Sequence, residues 1–165
     1  MMKPWYVALM VTVLLTGTAF AAEWKTYVND RFGAAADIPA DYQEGEEPTN
    51  DDGRRFTSPE GDATIAVWGA LASIEGETFQ QYAEQLVGYD KEDGWAISYT
   101  AGKTDWYAFS GTKGDQIVFE KVIQACEGQI VNHVRLEYPA SRKTDFDPIV
   151  AHVTKSLRSE PGWQC

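Results

Sequence analysis

The chain has 165 residues and carries 25 acidic against 14 basic side chains, for a formal net charge of −11 at pH 7. This negative charge repels phosphate backbones and anionic lipid surfaces, so nucleic acid is excluded as an expected partner. The length is that of one ordinary domain, and the 44% share of hydrophobic residues is enough for a single core.

The first residues have the pattern of a cleaved export signal. Lys3 precedes an apolar run over residues 5–15, and small residues follow at an A-x-A cleavage site that ends at Ala21. The apolar run is shorter than the roughly 20 residues that a membrane-spanning helix needs. We therefore predict a signal peptide over residues 1–21, a single domain over 22–165, and a periplasmic protein with no membrane anchor after cleavage.

The first part of the predicted domain is rich in β-structure. Two short strands are predicted within residues 24–38, on either side of the turn-prone sequence NDRFG. The polar stretch PADYQEGEEP has no hydrophobic period and predicts a loop. Residues 54–58 and 63–69 are strand candidates separated by PEGD. We expect proline and glycine to take the two central positions of a type II turn there, which predicts a hairpin.

The hydrophobic period changes to that of a helix over residues 77–90. The apolar positions on one face of this helix are Phe79, Tyr82, Ala83, Leu86 and Val87. Four further strands are predicted at 95–100, 105–111, 115–126 and 129–138. Because the links between them are short and rich in glycine or polar residues, consecutive strands are expected to run antiparallel.

A second amphipathic helix is predicted near the end of the chain. Its apolar stripe consists of Phe146, Ile149, Val150, Val153 and Leu157. Asp145 or Asp147 can cap its start, with Pro148 in the first turn. Pro161 and Gly162 are expected to end it. The order of hairpins, helix, four strands and helix predicts an α+β domain with an antiparallel β-sheet and two main amphipathic helices packed on it.

The two cysteines of the predicted mature chain are Cys126 and Cys165. They lie too far apart in sequence for a CxxC redox motif or a zinc knuckle. In an oxidising export compartment they are expected to pair with each other, and the alternative is two free thiols.

Four segments of the chain resemble those of small exported proteobacterial proteins: YVNDRFGAAADIPADY, DDGRRFTSPEGDATIAVWG, WYAFSGTKGDQIVFEKV and LEYPASRKTDFDPIVAHVTKSL. The order of elements is similar to the PsbP-like fold, an antiparallel sheet flanked by helices. That fold is shared by an extrinsic subunit of the oxygen-evolving complex, a Ran-binding nuclear transport factor and some bacterial envelope proteins. The resemblance implies the fold and a binding or assembly role, and it brings no catalytic motif.

An acidic segment is the best candidate for a metal site. Its carboxylates are Glu44, Glu46, Glu47, Asp51 and Asp52. Calcium needs six to eight oxygen ligands at regular spacing, whereas the sequence NDDGRR places Arg54 and Arg55 directly after Gly53. These arginines would compete with a bound cation, so we predict a solvated loop, no metal and no cofactor.

The two histidines do not form a recognisable catalytic motif. His133 is predicted on the polar face of a strand, beside Arg135 and Glu137, and His152 lies in the last helix, off its apolar stripe. Neither has a serine or cysteine motif nearby. We expect both histidines to be structural or solvated, and we predict no catalytic residue.

The most promising functional surface combines the acidic loop and the hairpin with exposed aromatic rings. Aromatic residues in strands usually belong to the core, but Trp68 and Tyr107, if exposed, could form a platform for a sugar or a partner protein. The predicted contact residues are Asp51, Asp52, Arg54, Arg55, Trp68 and Tyr107.

These observations predict a non-catalytic binding or assembly module whose partner is another envelope protein. Two alternatives remain. One is an envelope hydrolase or cell-wall-modifying enzyme that uses His133 with nearby acids. The other is a small-ligand or glycan-binding protein, which needs an open pocket lined by tryptophans.

Overall fold

The computed structural model describes residues 23–72 and 78–160. The described residues form ten strands and two α-helices. In chain order they are β1 (Trp24–Val28), β2 (Ala34–Pro39), β3 (Gln43–Glu44), β4 (Gly53–Thr57), β5 (Thr64–Leu71), α1 (Phe79–Glu92), β6 (Ala96–Gly102), β7 (Trp106–Lys113), β8 (Gln116–Ala125), β9 (Ile130–Pro139), α2 (Lys143–Ser156) and β10 (Arg158–Ser159).

The strands form two antiparallel sheets. The larger one has seven strands in the order β3-β4-β5-β9-β8-β7-β6, and the smaller one has the order β1-β2-β10. The predicted α+β class and the antiparallel pairing of consecutive strands are confirmed. The sequence did not predict the two-residue strands β3 and β10. It also did not predict that β1 and β2 form a separate sheet, in which β10 pairs with β2.

The two helices cover opposite faces of the large sheet. Val134 and Leu136 of β9 belong to a core cluster that includes apolar residues of α2 and β2. Val131 of the same strand belongs to a second cluster with Ala83 and Val87 of α1. Because successive side chains of a strand point to opposite faces, α1 and α2 pack on opposite sides of β9.

Helix α1 agrees with the sequence prediction and has a complete N-terminal cap. The Thr78 hydroxyl accepts a hydrogen bond from the Gln81 backbone N–H, and the Gln81 side chain accepts one from the Thr78 backbone N–H. This reciprocal capping box satisfies two backbone donors that the helix itself cannot pair. It fixes the start of the helix at Phe79.

The predicted ends of α2 were wrong. The chain is already helical at Lys143, because a short 3-10 turn over Ala140–Arg142 leads directly into the helix. Asp147 therefore lies inside the helix, where its carboxylate accepts a 2.7 Å hydrogen bond from Lys143 Nζ. The helix ends at Ser156, well before residues 161–162, which lie outside the described residues.

The hairpin between β4 and β5 is confirmed, but its turn type was wrong. The Gly61 backbone N–H donates to the Ser58 carbonyl at 2.9 Å, which places Pro59 and Glu60 at the two central positions. Gly61, with φ +76°, occupies the last position of the turn. A type II turn needs a positive φ at its second central residue, and Glu60 does not have one.

Two further predictions fall on or beside residues that the structure does not describe. The predicted signal peptide over residues 1–21 is outside the described residues. Cys126 lies in a 3-10 turn over Cys126–Gly128 and is not a free thiol, but Cys165 is outside the described residues, so their pairing stays a prediction. Within 23–72 and 78–160, none of the helices combines the length and the apolar character needed to cross a membrane.

Candidate functional site

A groove of about 440 Å³ lies along β4 and β5, beside the acidic loop. We call it the hairpin groove and define it by six of its lining residues, Glu46, Pro48, Asp52, Arg54, Arg55 and Trp68. It brings together four of the six predicted contact residues. Asp51 lies in the adjoining loop and is exposed.

The acidic loop is held in place by the turn between β1 and β2. Asn29 is buried, and its side-chain amide donates to the Asp51 carbonyl at 3.0 Å while its amide oxygen accepts from the Phe32 N–H at 2.8 Å. On the other side of the loop, the Gly69 N–H donates to the Asp52 carbonyl at 2.9 Å. The loop backbone is therefore tied to both the small and the large sheet.

The two adjacent arginines of β4 have different surroundings. The Arg54 side chain is largely buried and forms ion pairs with Glu44 at 3.3 Å and Glu47 at 3.5 Å. Arg55 is exposed and donates only a 3.3 Å hydrogen bond to Thr64 Oγ1, without an ion pair to any described carboxylate. Arg54 thus neutralises part of the loop, whereas Arg55 presents its charge to the groove.

Trp68 forms one wall of the groove, opposite a residue without a side chain. Its partner on β4 is Gly53, where an added Cβ would come within 2.3 Å of the Trp68 Cβ and of the Val67 carbonyl oxygen. The half-buried Trp68 indole stacks on the imidazole of His133, with ring centroids 4.4 Å apart and planes at 17°. The glycine and the stacked histidine together fix where the indole lies.

His133 is buried behind this wall, with 1% of its surface exposed. Its Nδ1 lies 3.1 Å from Glu120 Oε1, and its Nε2 lies 3.0 Å from the hydroxyl of Tyr82. The sequence predicted that His133 is either structural or solvated, and the structure shows that it is buried. The three side chains connect β8, β9 and α1.

Arg135 extends this polar network to the other end of α1. Its guanidinium donates to Asp90 at 2.8 and 3.0 Å, to Glu120 at 2.8 Å and to Glu137 at 2.7 Å. Burial works to lower the pKa of Arg135, but the three carboxylates outweigh it and raise that pKa. Burial raises the pKa of Asp90. Arg135 opposes this rise, and the negative charges of Glu120 and Glu137 add to it. We call these groups, with His133 and Tyr82, the α1 anchor.

The order carboxylate, imidazole and hydroxyl in the α1 anchor resembles the order in a hydrolytic triad. Burial, followed by the charge of Glu120, raises the pKa of Tyr82 to about 12, which keeps its hydroxyl protonated. Tyr82 borders a cavity of only about 100 Å³, and Trp68 lies over His133. The geometry favours structural attachment of α1 over nucleophilic chemistry.

Tyr107 does not belong to the surface, so this part of the prediction was wrong. Trp68, His133, Val122 and Tyr107 stand in one row across four strands, and they therefore share a face of the sheet. At the Tyr107 end of that row α1 covers the sheet, and Tyr107 is 8% exposed in a cluster with Ala83. Helix packing removes it from solvent.

The described tryptophans are not gathered around one pocket. Trp68 lines the hairpin groove, Trp106 borders a separate depression near α2, and Trp95 is buried. Trp24 stacks on His152 with centroids 3.7 Å apart. Among residues 23–72 and 78–160, no three histidine, cysteine, aspartate or glutamate side chains converge as a set of metal ligands.

Sequence reasoning did not identify Tyr82, Asp90 or Glu120 as partners of His133 and Arg135. One signal was present: Glu120 and Lys121 are adjacent charged residues in the otherwise largely apolar strand sequence QIVFEKVIQA, so each face of the strand carries one charge. A buried charge of this kind needs a partner. The partners of Glu120 come from β9, and the sequence spacing alone does not reveal them.

The fold is similar to that of two groups of solved structures. The solution structure of cyanobacterial PsbP (CyanoP) from Synechocystis sp. PCC 6803 matches with a TM-score of 0.61 and 12% identity, over 87% of this chain and 96% of that one. The Ran-binding protein Mog1p of Saccharomyces cerevisiae matches with a TM-score of 0.61 and 8% identity, over 84% and 96%. A point mutant of Mog1 gives 0.60 and 8%, over 83% and 96%.

These likenesses show a Mog1/PsbP-like fold, which confirms the predicted fold type. No protein-family model and no curated protein matches the chain. The resemblance to the exported proteobacterial group therefore stays a prediction.

Proposed function

We propose that this chain is a non-catalytic binding module of the bacterial cell envelope, exported to the periplasm, and that it contacts a partner protein through the hairpin groove. The observation that carries the proposal is the groove itself. It joins a half-buried Trp68 and an exposed Arg55, which has no ion pair among the described residues, to the acidic loop near one edge of the large sheet. Aromatic and arginine side chains are those most enriched at the energetic centres of protein interfaces.

Three further observations support binding over catalysis. Among the described histidines, His133 has both a carboxylate and a hydroxyl partner, but it is only 1% exposed, so a substrate has no access to it. The tryptophans do not form a common sugar-binding pocket in the described part of the chain. One structure of similar fold belongs to a Ran-binding protein, which shows that this fold can serve protein recognition.

The location and the cysteine pairing belong to the same proposal. The A-x-A site ending at Ala21 supports export and cleavage. In an oxidising compartment a Cys126–Cys165 disulfide would attach the end of the chain to the turn between β8 and β9. N-terminal sequencing and mass spectrometry of the unreduced mature protein test both points, since two free thiols would contradict the pairing.

Site-specific photo-crosslinking in the cells that produce the chain tests the contact surface. A photoreactive phenylalanine derivative replaces Arg55 in the groove or, as a control, Lys155, an exposed basic residue of α2 on the other side of the sheet. We expect one envelope protein to be captured from position 55 and not from position 155. Absence of a specific adduct at 55, or equal capture from both positions, would refute the proposed surface.

A further inference from the structure

The hairpin groove has an open apolar floor between two large side chains. Gly53 is paired with Trp68, and Arg55 is paired with Ala66, so the four residues share one face of the sheet. Ala66 has only a methyl group and Gly53 has no side chain, so the floor between the indole and the guanidinium is shallow. The place that a Gly53 Cβ would take is already filled by the Trp68 Cβ and the Val67 carbonyl oxygen. Pro48 adds a further apolar surface to its lining. An extended chain segment fits such a groove.

The charge around this floor is unbalanced toward negative. Arg54 is occupied by Glu44 and Glu47. Glu46 is exposed and has no ion pair with a described residue. The Asp52 carboxylate accepts a 2.6 Å hydrogen bond from the neutral Asn50 amide and has no ion pair within the described part of the chain. Among the described residues that line the groove, two carboxylates, Glu46 and Asp52, have no ion pair, whereas Arg55 is the one cation without an ion pair.

The Trp68 indole provides a second feature suited to a cation. Its ring is half-buried, lines the groove and is supported from behind by His133. The face of an indole attracts ammonium and guanidinium groups, and the attraction is stronger where water is excluded. An aromatic ring and free carboxylates in one groove are complementary to a basic side chain on an apolar stem.

We infer that the hairpin groove binds an extended segment of its partner protein by a lysine or arginine side chain, which packs on Trp68 and pairs with Glu46 and Asp52. This inference rests on the proposed function, in which the groove is the contact surface. The net charge of −11 favours basic partners over a second copy of this acidic chain. Arg55 lies at the edge of the groove and weakens the attraction.

Calorimetric titration with two capped peptides tests this inference. The probes are Lys-Ala-Lys-Ala-Lys and Glu-Ala-Glu-Ala-Glu, whose alternation places all charges of an extended chain on one face. We expect the lysine peptide to bind and the glutamate peptide not to bind. Glu46→Gln should lower the affinity for the lysine peptide about threefold, which corresponds to the loss of one exposed ion pair. Trp68→Ala should lower the same affinity about two- to fivefold.

Two further variants separate local recognition from attraction by the overall charge. Glu92→Gln on α1 changes the net charge as much as Glu46→Gln does, but Glu92 does not line the groove, and we expect this substitution to leave affinity unchanged. Arg55→Gln removes a like charge and should strengthen binding of the lysine peptide about threefold. Circular dichroism of each variant establishes that it is folded.

The inference is overturned if the lysine peptide does not bind, if Glu46→Gln and Glu92→Gln behave alike, or if the glutamate peptide binds through Arg55. These results are distinguishable from failure of the proposed function. A partner captured at position 55 without binding of the lysine peptide leaves the contact surface in place and refutes the basic segment. Peptide binding without capture of a partner supports the groove chemistry and refutes the proposed envelope contact.

Discussion

The indole of Trp68 stacks on the imidazole of His133, with centroids 4.4 Å apart, and this contact joins the hairpin groove to the buried α1 anchor. On its far side His133 contacts Glu120 and Tyr82. One wall of the proposed contact surface is thus supported by side chains from β8, β9 and α1. The position of the indole depends on polar contacts that the groove itself does not contain.

Replacing His133 by alanine is expected to destabilise the fold and to change the surroundings of Trp68. The substitution leaves a cavity and removes one partner from each of Glu120 and Tyr82, for a cost of about 2–4 kcal/mol. Urea unfolding measures this loss. The control is His152→Ala on α2, whose side chain is 41% exposed and whose loss should cost under about 1 kcal/mol. Equal losses for the two variants would contradict a buried anchoring role for His133.

Replacing Arg135 by methionine is expected to be the most damaging change in the α1 anchor. It leaves Asp90 and Glu120 buried without their shared cation, and removal of one partner from a buried pair costs about 3–5 kcal/mol. Arg158→Met serves as a control, because Arg158 is 41% exposed and its ion pairs at 3.7 and 3.9 Å are long. A loss for Arg135→Met no larger than that of Arg158→Met would show that α1 is held by apolar packing alone.

The pH dependence of stability should carry a contribution from Asp90. Its pKa is raised in the folded protein, so the folded state holds this proton more tightly than the unfolded state does. The contribution of Asp90 to the free energy of unfolding is fully present below its ordinary pKa of 3.8. It is lost as the pH rises through the pKa that Asp90 has in the folded state. In urea unfolding at a series of pH values, the advantage of the wild type over Asp90→Asn should shrink as the pH rises from 3.8. An advantage that grows with pH over this range would contradict the assignment.

A methyl group at position 53 is expected to disturb the groove. In Gly53→Ala the new Cβ meets the Val67 carbonyl oxygen at 2.3 Å, and relief of that contact requires the backbones of β4 and β5 to separate. We expect a loss of about 2 kcal/mol or more in unfolding free energy. Gly88→Ala inside α1 meets nothing within 4 Å and should stabilise the protein by about 0.5–1 kcal/mol. A tolerated Gly53→Ala would show that the two strands are not held at this spacing.

Local patterns predicted most of the fold, because the helices and long strands have hydrophobic periods that can be read within each segment. The two-residue strands β3 and β10 have no such period and exist only because β4 and β2 provide hydrogen-bonding partners. Four of the groove residues were predicted together since they lie on one hairpin and its adjoining loop. Tyr107 was misplaced because its exposure depends on where α1 packs, and strand alternation does not show this.

The α1 anchor could not be predicted for a similar reason. His133 and Tyr82 are 51 positions apart in sequence, and Arg135 and Asp90 are 45 apart. Only the tertiary fold brings a helix above the polar face that the strand pattern predicted. The sequence therefore identified the polar face of β9 correctly. It did not show whether that face contacts water or a helix.

Hydrogen–deuterium exchange of the purified protein, with and without the partner captured at position 55, is the most direct test of the hairpin groove as the contact surface. We predict that the partner slows exchange in the segment 45–57 and in β5 near Trp68, while α2 and the edge strand β6 exchange as in the free chain. Protection confined to α2 or to β6, with unchanged exchange in the groove, would contradict this account.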